Sequence, residues 1–515
     1  MKTAGMVYLV GAGPGDPGLL TLRGAELLRQ ADVVIYDGLV NPSLLRGTRA
    51  DAEIIAGGKH DRTRCVSQET LNALLVDQAR RGRCVVRLKG GDPYLFGRGG
   101  EEAEALAAAG LPFEVVPGVS SLHAVPAYAG IPLTGPAAGA SLTVVTGHEP
   151  PDATGHGPAW AALAQAPGTL VVLMALRNVR AIAATLIAHG RSPATPAAVM
   201  SHGTTGRQRT VIAPLATLAD RVERASLPAP AIIVIGEVVA ARGALDWFES
   251  RPLFGRRVVV TQRSDLARPT VARLRDEGAD VLEIPATRWR LPADLAALDH
   301  ALGRLANHDW VLFSHPFAVD HFLQRVVQKR GDLRALGQAR LGAYGPATGA
   351  ALRAWYLRPD AVSADHKTPL ILDAVMRSGD VGGKRFLVVR GEIATEQVPE
   401  ALTARGATVE VVAAFGVEAE TDAPGDDAGR LRAEGADWIV FASGLAIEHL
   451  QERFGLRRLV AQFPGTKLAL TTETIWPVLT ELGLSPAVVS TPNDVAGLVG
   501  AIVTAERPVG DGPAG

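Results

Sequence analysis

The sequence predicts an α/β protein, with two layered α/β subdomains in the first half and a bilobed, internally duplicated α/β domain in the second. Three observations carry that prediction. Short apolar runs alternate with amphipathic stretches through the first half, as in "MVYLV", "LLTLRGAELLRQA", "DVVIYD" and "SQETLNALLVDQARRG", the pattern of a mostly parallel sheet covered by helices. Hydrophobic residues are 47% and aromatics 5%, with 56 glycines and 34 prolines in 515 residues, which suits close packing of small branched side chains between strands and helices. The second half repeats itself. "DWVLFSHPFAV" starts at Asp309 and "DWIVFASGLAI" at Asp437, and the same offset separates "RVVVTQR" at Arg257 from "RFLVVRG" at Arg385 and Gly278 from Gly406.

In chain order, Asp16-Pro17 stands before "GLLTLRGAELL" and Ser67 before "QETLNALL", both good helix starts. The loop-like "GHEPPDATGHGP", 147–158, is read as the separator of two subdomains. The first region, 1–248, closes with "AIIVIGEVVAARGALDWF", and 249–256 reads as a linker. Residues 257–506 hold the duplication, whose unit is strand, helix, strand, helix; two copies suggest two similar lobes with a cleft between them. The Gly/Pro-rich 507–515 reads as a flexible tail.

Formal net charge is −1, so nothing draws the chain as a whole to nucleic acid or an anionic membrane. Only Cys65 and Cys84 occur, which points to a reducing, cytoplasmic setting and excludes a cysteine zinc site or iron–sulfur cluster of ordinary ligand count. No run approaches the ~18 apolar residues of a membrane helix. Twelve histidines include no His-Glu-x-x-His spacing, and His315 and His321 read as helix caps or surface residues, so no metal is expected.

"GAGPGDPG", Gly11 to Gly18, matches Gly-x-Gly-x-x-Gly behind a strand and suggests a dinucleotide loop, with Asp37 where a ribose-binding acid would stand. The chemistry opposes this reading. Pro14 and Pro17 lack the N–H groups a pyrophosphate needs, and Asp16 repels it. A tight turn capped by Asp16 and a loop for an uncharged or cationic ligand both stay open. A second glycine loop, "VVRLKGGDPYLFGRGGEE", supports the latter, because its backbone carbonyls and Asp92 favour a cation or an amino-acid group.

Together "VYLVGAGPGDPGLLTLRGAELLRQADVVIYDGLV", "RLKGGDPYLFGRGGEE" and "VVPGVSSLHAVPAYAGIPLT" resemble the uroporphyrinogen-III C-methyltransferases of the tetrapyrrole methylase family, over about Val7 to Trp247. The resemblance implies S-adenosyl-L-methionine as cofactor, held by Pro14, Gly90, Gly91, Asp92, Leu95, Ser120, Ser121, Met174, Gly203 and Ala231. Ser120 and Ser121 stand where the family often has Thr-Ala, and "VVLMAL" departs from its usual Tyr-Met-Gly. It also implies Asp37 as catalytic base and Lys59 as catalytic acid, against a strand-end carboxylate and a loop lysine as the plain structural readings. Arg87 and Arg98 are either contacts to substrate carboxylates or partners of Glu101 and Glu102. The implied reaction is double methylation of uroporphyrinogen III to precorrin-2 by a homodimer. No segment is left for the dehydrogenase–ferrochelatase module of some siroheme synthases, and the product feeds siroheme, cobalamin or another tetrapyrrole.

From about Gly255 to Glu506 the chain resembles uroporphyrinogen-III synthases, on "DWVLFSHPFAV", "LGAYGPATGAAL", "RFLVVRGEIATEQVPEALTARGATVEVV" and "DWIVFASGLAI". The implied activity is cyclisation of hydroxymethylbilane, with Ser314, Thr348 and Ser443 as candidate cleft hydroxyls. Phe415 replaces a tyrosine suspected as acid in the family, and Gln262 an expected arginine. A non-catalytic tetrapyrrole-binding module is therefore the alternative for this half; a dehydrogenase is the remoter alternative for the first.

Overall fold

The computed structural model describes residues 5–49, 51–57, 67–135, 140–153, 157–364, 368–421 and 426–507. It divides into two compact units, Met1–Pro285 with Asp422–Gly515, and Ala286–Thr421.

The first unit opens with a sheet of strands β1 (Val7–Gly11), β2 (Val33–Tyr36), β3 (Glu53–Ala56), β4 (Val85–Lys89) and β5 (Phe113–Val116), in the order β3-β2-β4-β1-β5. All neighbours are parallel. Leu9, Val34, Ile35, Val86 and Leu88 are fully buried, as expected where helices cover both faces of a sheet and leave its strands as unbroken apolar runs. Because β4 lies between β1 and β2, the loops leaving β1 and β4 emerge side by side at the carboxyl edge, where such sheets gather ligands. Ser67 caps the helix Gln68–Arg80 by accepting from the Thr70 amide. Asp16 caps only a 3₁₀ turn, Pro17–Leu19, and Thr21 caps a separate helix, Leu22–Gln30.

A second sheet follows: β6 (Leu142–Thr146), β7 (Thr169–Leu173), β8 (Pro196–Ser201), β9 (Arg209–Pro214) and β10 (Ala231–Ile235), in the order β6-β7-β10-β8-β9. The sequence suggested a mostly parallel arrangement throughout the first half, yet here only β6 and β7 run parallel. Strand β10 is antiparallel to both β7 and β8, and β8 to β9. The loop 147–158 is also not the subdomain boundary, since it follows β6 inside the second sheet. Residues 249–256 are packed: Leu253 is fully buried, and Glu249 accepts from Gln208 Nε2 at 2.9 Å and Thr210 Oγ1 at 2.6 Å.

Next come β11 (Arg257–Val260) and β12 (Asp280–Glu283). The second unit then takes β13 (Thr287–Arg290), β14 (Trp310–Phe313), β15 (Arg340–Ala343), β16 (Ala361–Val362), β17 (Arg385–Gly391) and β18 (Thr408–Ala419), before the chain returns with β19 (Trp438–Phe441), β20 (Lys467–Leu470) and β21 (Val488–Val489). The two sheets run β12-β11-β19-β20-β21 and β13-β18-β17-β14-β15-β16. One lobe per copy is the simple expectation from the duplication, and it fails. Each sheet joins the first two strands of one copy to the last three of the other, and the second sheet adds β13 at its edge, antiparallel to β18. The pairing is pseudo-symmetric, with Val258 beside Trp438 and Phe386 beside Trp310. Asp437 and Asp309 lock the two joints alike, accepting from the amides of Arg257 at 2.7 Å and Arg385 at 2.8 Å. Among the described residues no helix is long and apolar enough to cross a membrane.

Candidate functional site

The glycine loops after β1 and β4 bind each other before they bind anything else. The Gly91 amide donates to the Gly13 carbonyl at 2.8 Å and the Gly13 amide to the Gly91 carbonyl at 3.3 Å. The Gly18 amide donates to Asp16 Oδ1 at 2.8 Å, and the Asp16 amide to Thr204 Oγ1 at 3.0 Å. With Pro14 and Pro17 adding no donors, the loop has too few free N–H groups to cradle a pyrophosphate. The other oxygen of Asp16 accepts from the Tyr128 hydroxyl at 2.7 Å, whose pKa burial and this carboxylate push up, so it stays a donor. Asp92 is likewise committed, accepting from the amides of Tyr94 at 2.8 Å and Gly118 at 2.9 Å.

Gly118 lets these strands converge. A Cβ there would meet the Gly91 carbonyl oxygen at 2.2 Å and the Gly11 Cα at 2.6 Å. Gly118→Ala is expected to cost about 1–3 kcal/mol through forced backbone shifts, read as a lower unfolding midpoint of the full chain; an unchanged midpoint would refute the close approach.

The second sheet delivers its contribution through strand direction. Since β10 opposes β7 and β8, with Ile232 beside Leu173 and Ala231 beside Ser201, its first residue meets the ends of both. Met174, Gly203 and Ala231 are thereby brought together. All ten residues expected to hold a cofactor, Pro14, Gly90, Gly91, Asp92, Leu95, Ser120, Ser121, Met174, Gly203 and Ala231, line one cavity of about 620 Å³. Phe96, Met174, His202 and Thr204 also line it, and each has a left-handed backbone, with φ of 53°, 58°, 48° and 66°. Such conformations cost of order 1–3 kcal/mol each in non-glycine residues and cluster at ligand sites. Met174 is 52% exposed, an apolar side chain turned toward a ligand space rather than a core.

His202 is held by Ser201, whose Oγ donates to the Pro228 carbonyl and so accepts from His202 Nδ1 at 3.0 Å. Burial and the charges of Arg207 and Arg430 push its pKa down from 6.5 to about 4. Between those values the unfolded chain binds the extra proton, so stability is expected to fall as pH drops from 6.5 toward 4. His202→Gln should flatten that part of a midpoint-against-pH curve; an unaltered slope would mean other groups cause it.

Asp37, at the end of β2, is not a turn cap. Its Oδ1 pairs with the Arg87 guanidinium. Arg87 is 2% exposed and donates through Nε to Glu102 Oε1 at 3.0 Å and through Nη1 to the Ile35 carbonyl at 3.3 Å. Fully buried Glu102 also takes Lys89 Nζ at 2.9 Å, and burial followed by the Arg87 charge lowers the Lys89 pKa. Of the two arginines left open by the sequence, Arg87 serves Asp37 and Glu102, while Arg98 pairs on the surface with Glu101 at 2.7 Å. Gly38, next to Asp37, lines the cavity. Lys59 lies outside the described residues, as does Cys65.

Sequence reasoning missed several contributors. Thr204 and Arg207, in "SHGTTGRQR", line the cavity, and Thr204 also accepts from the Asp16 amide. Asn41 donates to the Gly15 carbonyl at 2.8 Å while capping its own turn, a role its Asn-Pro signature announces.

In the duplicated half the three candidate hydroxyls differ. Ser314 follows β14 directly, its amide donating to the Val389 carbonyl at 3.0 Å. Thr348 is 1% exposed, and its hydroxyl donates to the Tyr344 carbonyl at 2.8 Å within its own helix. Ser443 caps the helix Gly444–Phe454. By the repeat offset Ser443 matches His315 rather than Ser314, and His315 caps Pro316–Arg330 in the same way, accepting from the Phe317 amide at 3.1 Å. Phe415 packs edge-on against Trp289, with centroids 4.6 Å apart.

Two α/β sheets whose loops close on one cavity, followed by an interleaved α/β duplication, define a two-module α/β protein with one built ligand cavity in its first module. Residues 6–219 match the family Tetrapyrrole (Corrin/Porphyrin) Methylases, and residues 268–500 match Uroporphyrinogen-III synthase HemD. A uroporphyrinogen-III C-methyltransferase of Bacillus subtilis is 41% identical over 332 residues, 64% of this chain and 68% of that protein. The porphyrin biosynthesis protein HemD of Ruminiclostridium josui is 38% identical over 349 residues, 68% of this chain and 69% of that protein. A siroheme synthase of Azotobacter vinelandii is 51% identical over 250 residues, 48% of this chain and 53% of that protein, so the chain spans only about half of that relative. The chain belongs to the tetrapyrrole methylase family and carries a uroporphyrinogen-III synthase domain behind the methylase domain.

Proposed function

We propose that the N-terminal domain transfers two methyl groups from S-adenosyl-L-methionine to uroporphyrinogen III, giving precorrin-2. The convergence of all ten implied cofactor residues on one cavity carries the reading. The lining fits the group. Pro14, Leu95 and Met174 offer apolar contact, and the loop amides are too committed for a phosphate. When bound, S-adenosyl-L-methionine supplies an electrophilic methyl group. The protein's part is alignment and proton removal. Arg87 fixes Asp37 through Oδ1, leaving Oδ2 as the oxygen that accepts the proton lost from the methylated tetrapyrrole carbon. Lys59 is the corresponding acid. A cytoplasmic homodimer belongs to the same reading.

Residues 257–506 cyclise hydroxymethylbilane to uroporphyrinogen III, the substrate of the first domain. A second reading, a tetrapyrrole-binding module without catalysis, is favoured by two observations: Phe415 has no hydroxyl, and that of Thr348 is spent inside its helix. Incubation of the full chain with uroporphyrinogen III and methyl-labelled S-adenosyl-L-methionine should yield a doubly methylated product, and its absence sinks the first claim. Hydroxymethylbilane alone should yield the type-III isomer; only the spontaneous type-I isomer would favour the binding module.

A further inference from the structure

The cavity wall is not built by the two N-terminal sheets alone. Strand β12, from the duplicated half, packs against the loop that follows β8. A Cβ on Gly206 would lie 2.3 Å from the Asp280 amide nitrogen and 2.4 Å from the Ala279 carbonyl carbon, so the two backbones are in contact. Arg46 pairs with Glu283 across the same seam. Asp280, Glu283 and Arg430 line the cavity together with Pro14 and Met174.

Most charges in this wall are matched. Glu283 takes Arg46 and Arg275, the latter at 2.9 Å. Buried Asp280 takes Arg430, and Arg257 at 3.2 Å. Arg207 is the exception. Its guanidinium makes no hydrogen bond among the described residues, and its one ion pair, to Asp280 Oδ1, is at the 4.0 Å limit. Its backbone is nonetheless fixed: the Arg207 amide donates to Thr205 Oγ1 at 3.3 Å, and Thr205 Oγ1 donates to the His202 carbonyl at 2.7 Å. A guanidinium has five donors in a planar fork that fits a carboxylate in two-point contact. The Arg207 side chain is 37% exposed, so the fork is open to a ligand entering the cavity. Partial burial and the nearby Arg430 charge depress its pKa.

We propose that Arg207 is the anchor for a carboxylate of the tetrapyrrole substrate in the methyl-transfer cavity, facing a wall that the C-terminal half supplies through Asp280. This rests on the methyl-transfer reading, because that substrate is ringed by carboxylates. In the absence of substrate Asp280 stands opposite the guanidinium as a distant intramolecular carboxylate; the incoming acid takes the near position and makes the hydrogen bonds the protein leaves unmade.

The test uses the full-length chain, wild type against Arg207→Ala and Arg207→Lys. Binding of uroporphyrin III, the fluorescent oxidised form of the substrate, is followed by quenching, and S-adenosyl-L-methionine affinity by calorimetry. Arg207→Ala is expected to weaken uroporphyrin roughly 10–100-fold, as for loss of a charge-assisted hydrogen-bonded pair, with S-adenosyl-L-methionine affinity within about twofold. Arg207→Lys, a point charge without the fork, should fall between. Uroporphyrin affinity unchanged in Arg207→Ala overturns the proposal, and so does a parallel loss of S-adenosyl-L-methionine affinity, which would make Arg207 a support of the cavity. A wild-type chain that binds uroporphyrin without methylating its reduced form refutes the methyl-transfer reading instead, because the Arg207 comparison is made on binding.

Discussion

Asp37→Asn is expected to lower methyl transfer to uroporphyrinogen III by about 10²–10⁴-fold, the usual contribution of a positioned base. Asparagine has nearly the shape of aspartate, and its carbonyl oxygen still accepts from Arg87, so the ion pair becomes a hydrogen bond from a cation to a neutral acceptor without a new void. What disappears is the capacity of the second oxygen to take a proton. S-adenosyl-L-methionine affinity should stay within about twofold, because Asp37 itself is not part of the cavity lining; only its neighbour Gly38 is. Single-turnover transfer of a labelled methyl group separates the alternatives. A variant retaining more than half of the wild-type rate would return Asp37 to a purely structural role beside Arg87.

Replacement of Glu102 carries the largest expected effect on stability. Glu102 is fully buried and its Oε1 receives both Arg87 and Lys89. Glu102→Gln keeps the volume but leaves two buried cations with no counter-charge nearer than Asp37, and breaking a buried pair in this way costs about 3–5 kcal/mol. The loss should have a pH signature. Lys89 already has a lowered pKa, from burial first and Arg87 second, and removal of Glu102 takes away an interaction that raised it. The native variant then binds fewer protons than the unfolded chain below the ordinary lysine pKa of 10.5, so its stability should rise with pH and the deficit shrink on the alkaline side. Thermal midpoints of wild type and variant at pH 7 and 9 test this. A deficit below about 1 kcal/mol would mean that Arg87 and Lys89 are adequately served by Asp37 and the backbone.

The two replacements together explain why one part of the site was legible in the sequence and another was not. Strands β1, β2 and β4 are buried on both faces, so each announces itself as an apolar run whatever its neighbours are. The direction of β8 to β10 has no such local mark, because a strand running antiparallel carries the same residues as one running parallel; the mixed second sheet went unforeseen for that reason. Arg87 was ambiguous between substrate and Glu102. The choice depends on β4 lying between β1 and β2, which sinks the side chain into the sheet-helix layer. The Arg207 seam was invisible, since contact of Gly206 with Asp280 joins residues far apart in the chain through backbone atoms alone. The repeat was plain in the sequence while its wiring was not: Trp310 and Trp438 look alike, and nothing local says that each sits beside a strand of the other copy.

That wiring bears on what one repeat could form alone. A single repeat supplies the front of one sheet and the back of another, so as a free polypeptide it would leave two open strand edges and close them only against a second molecule. A half-length chain paired in this way would complete both sheets only as a strand-exchanged homodimer. Exchange of one repeat for a homologue's would then replace half of each lobe instead of one whole lobe. Compatible partners must match along both central seams, Val258 with Trp438 and Phe386 with Trp310.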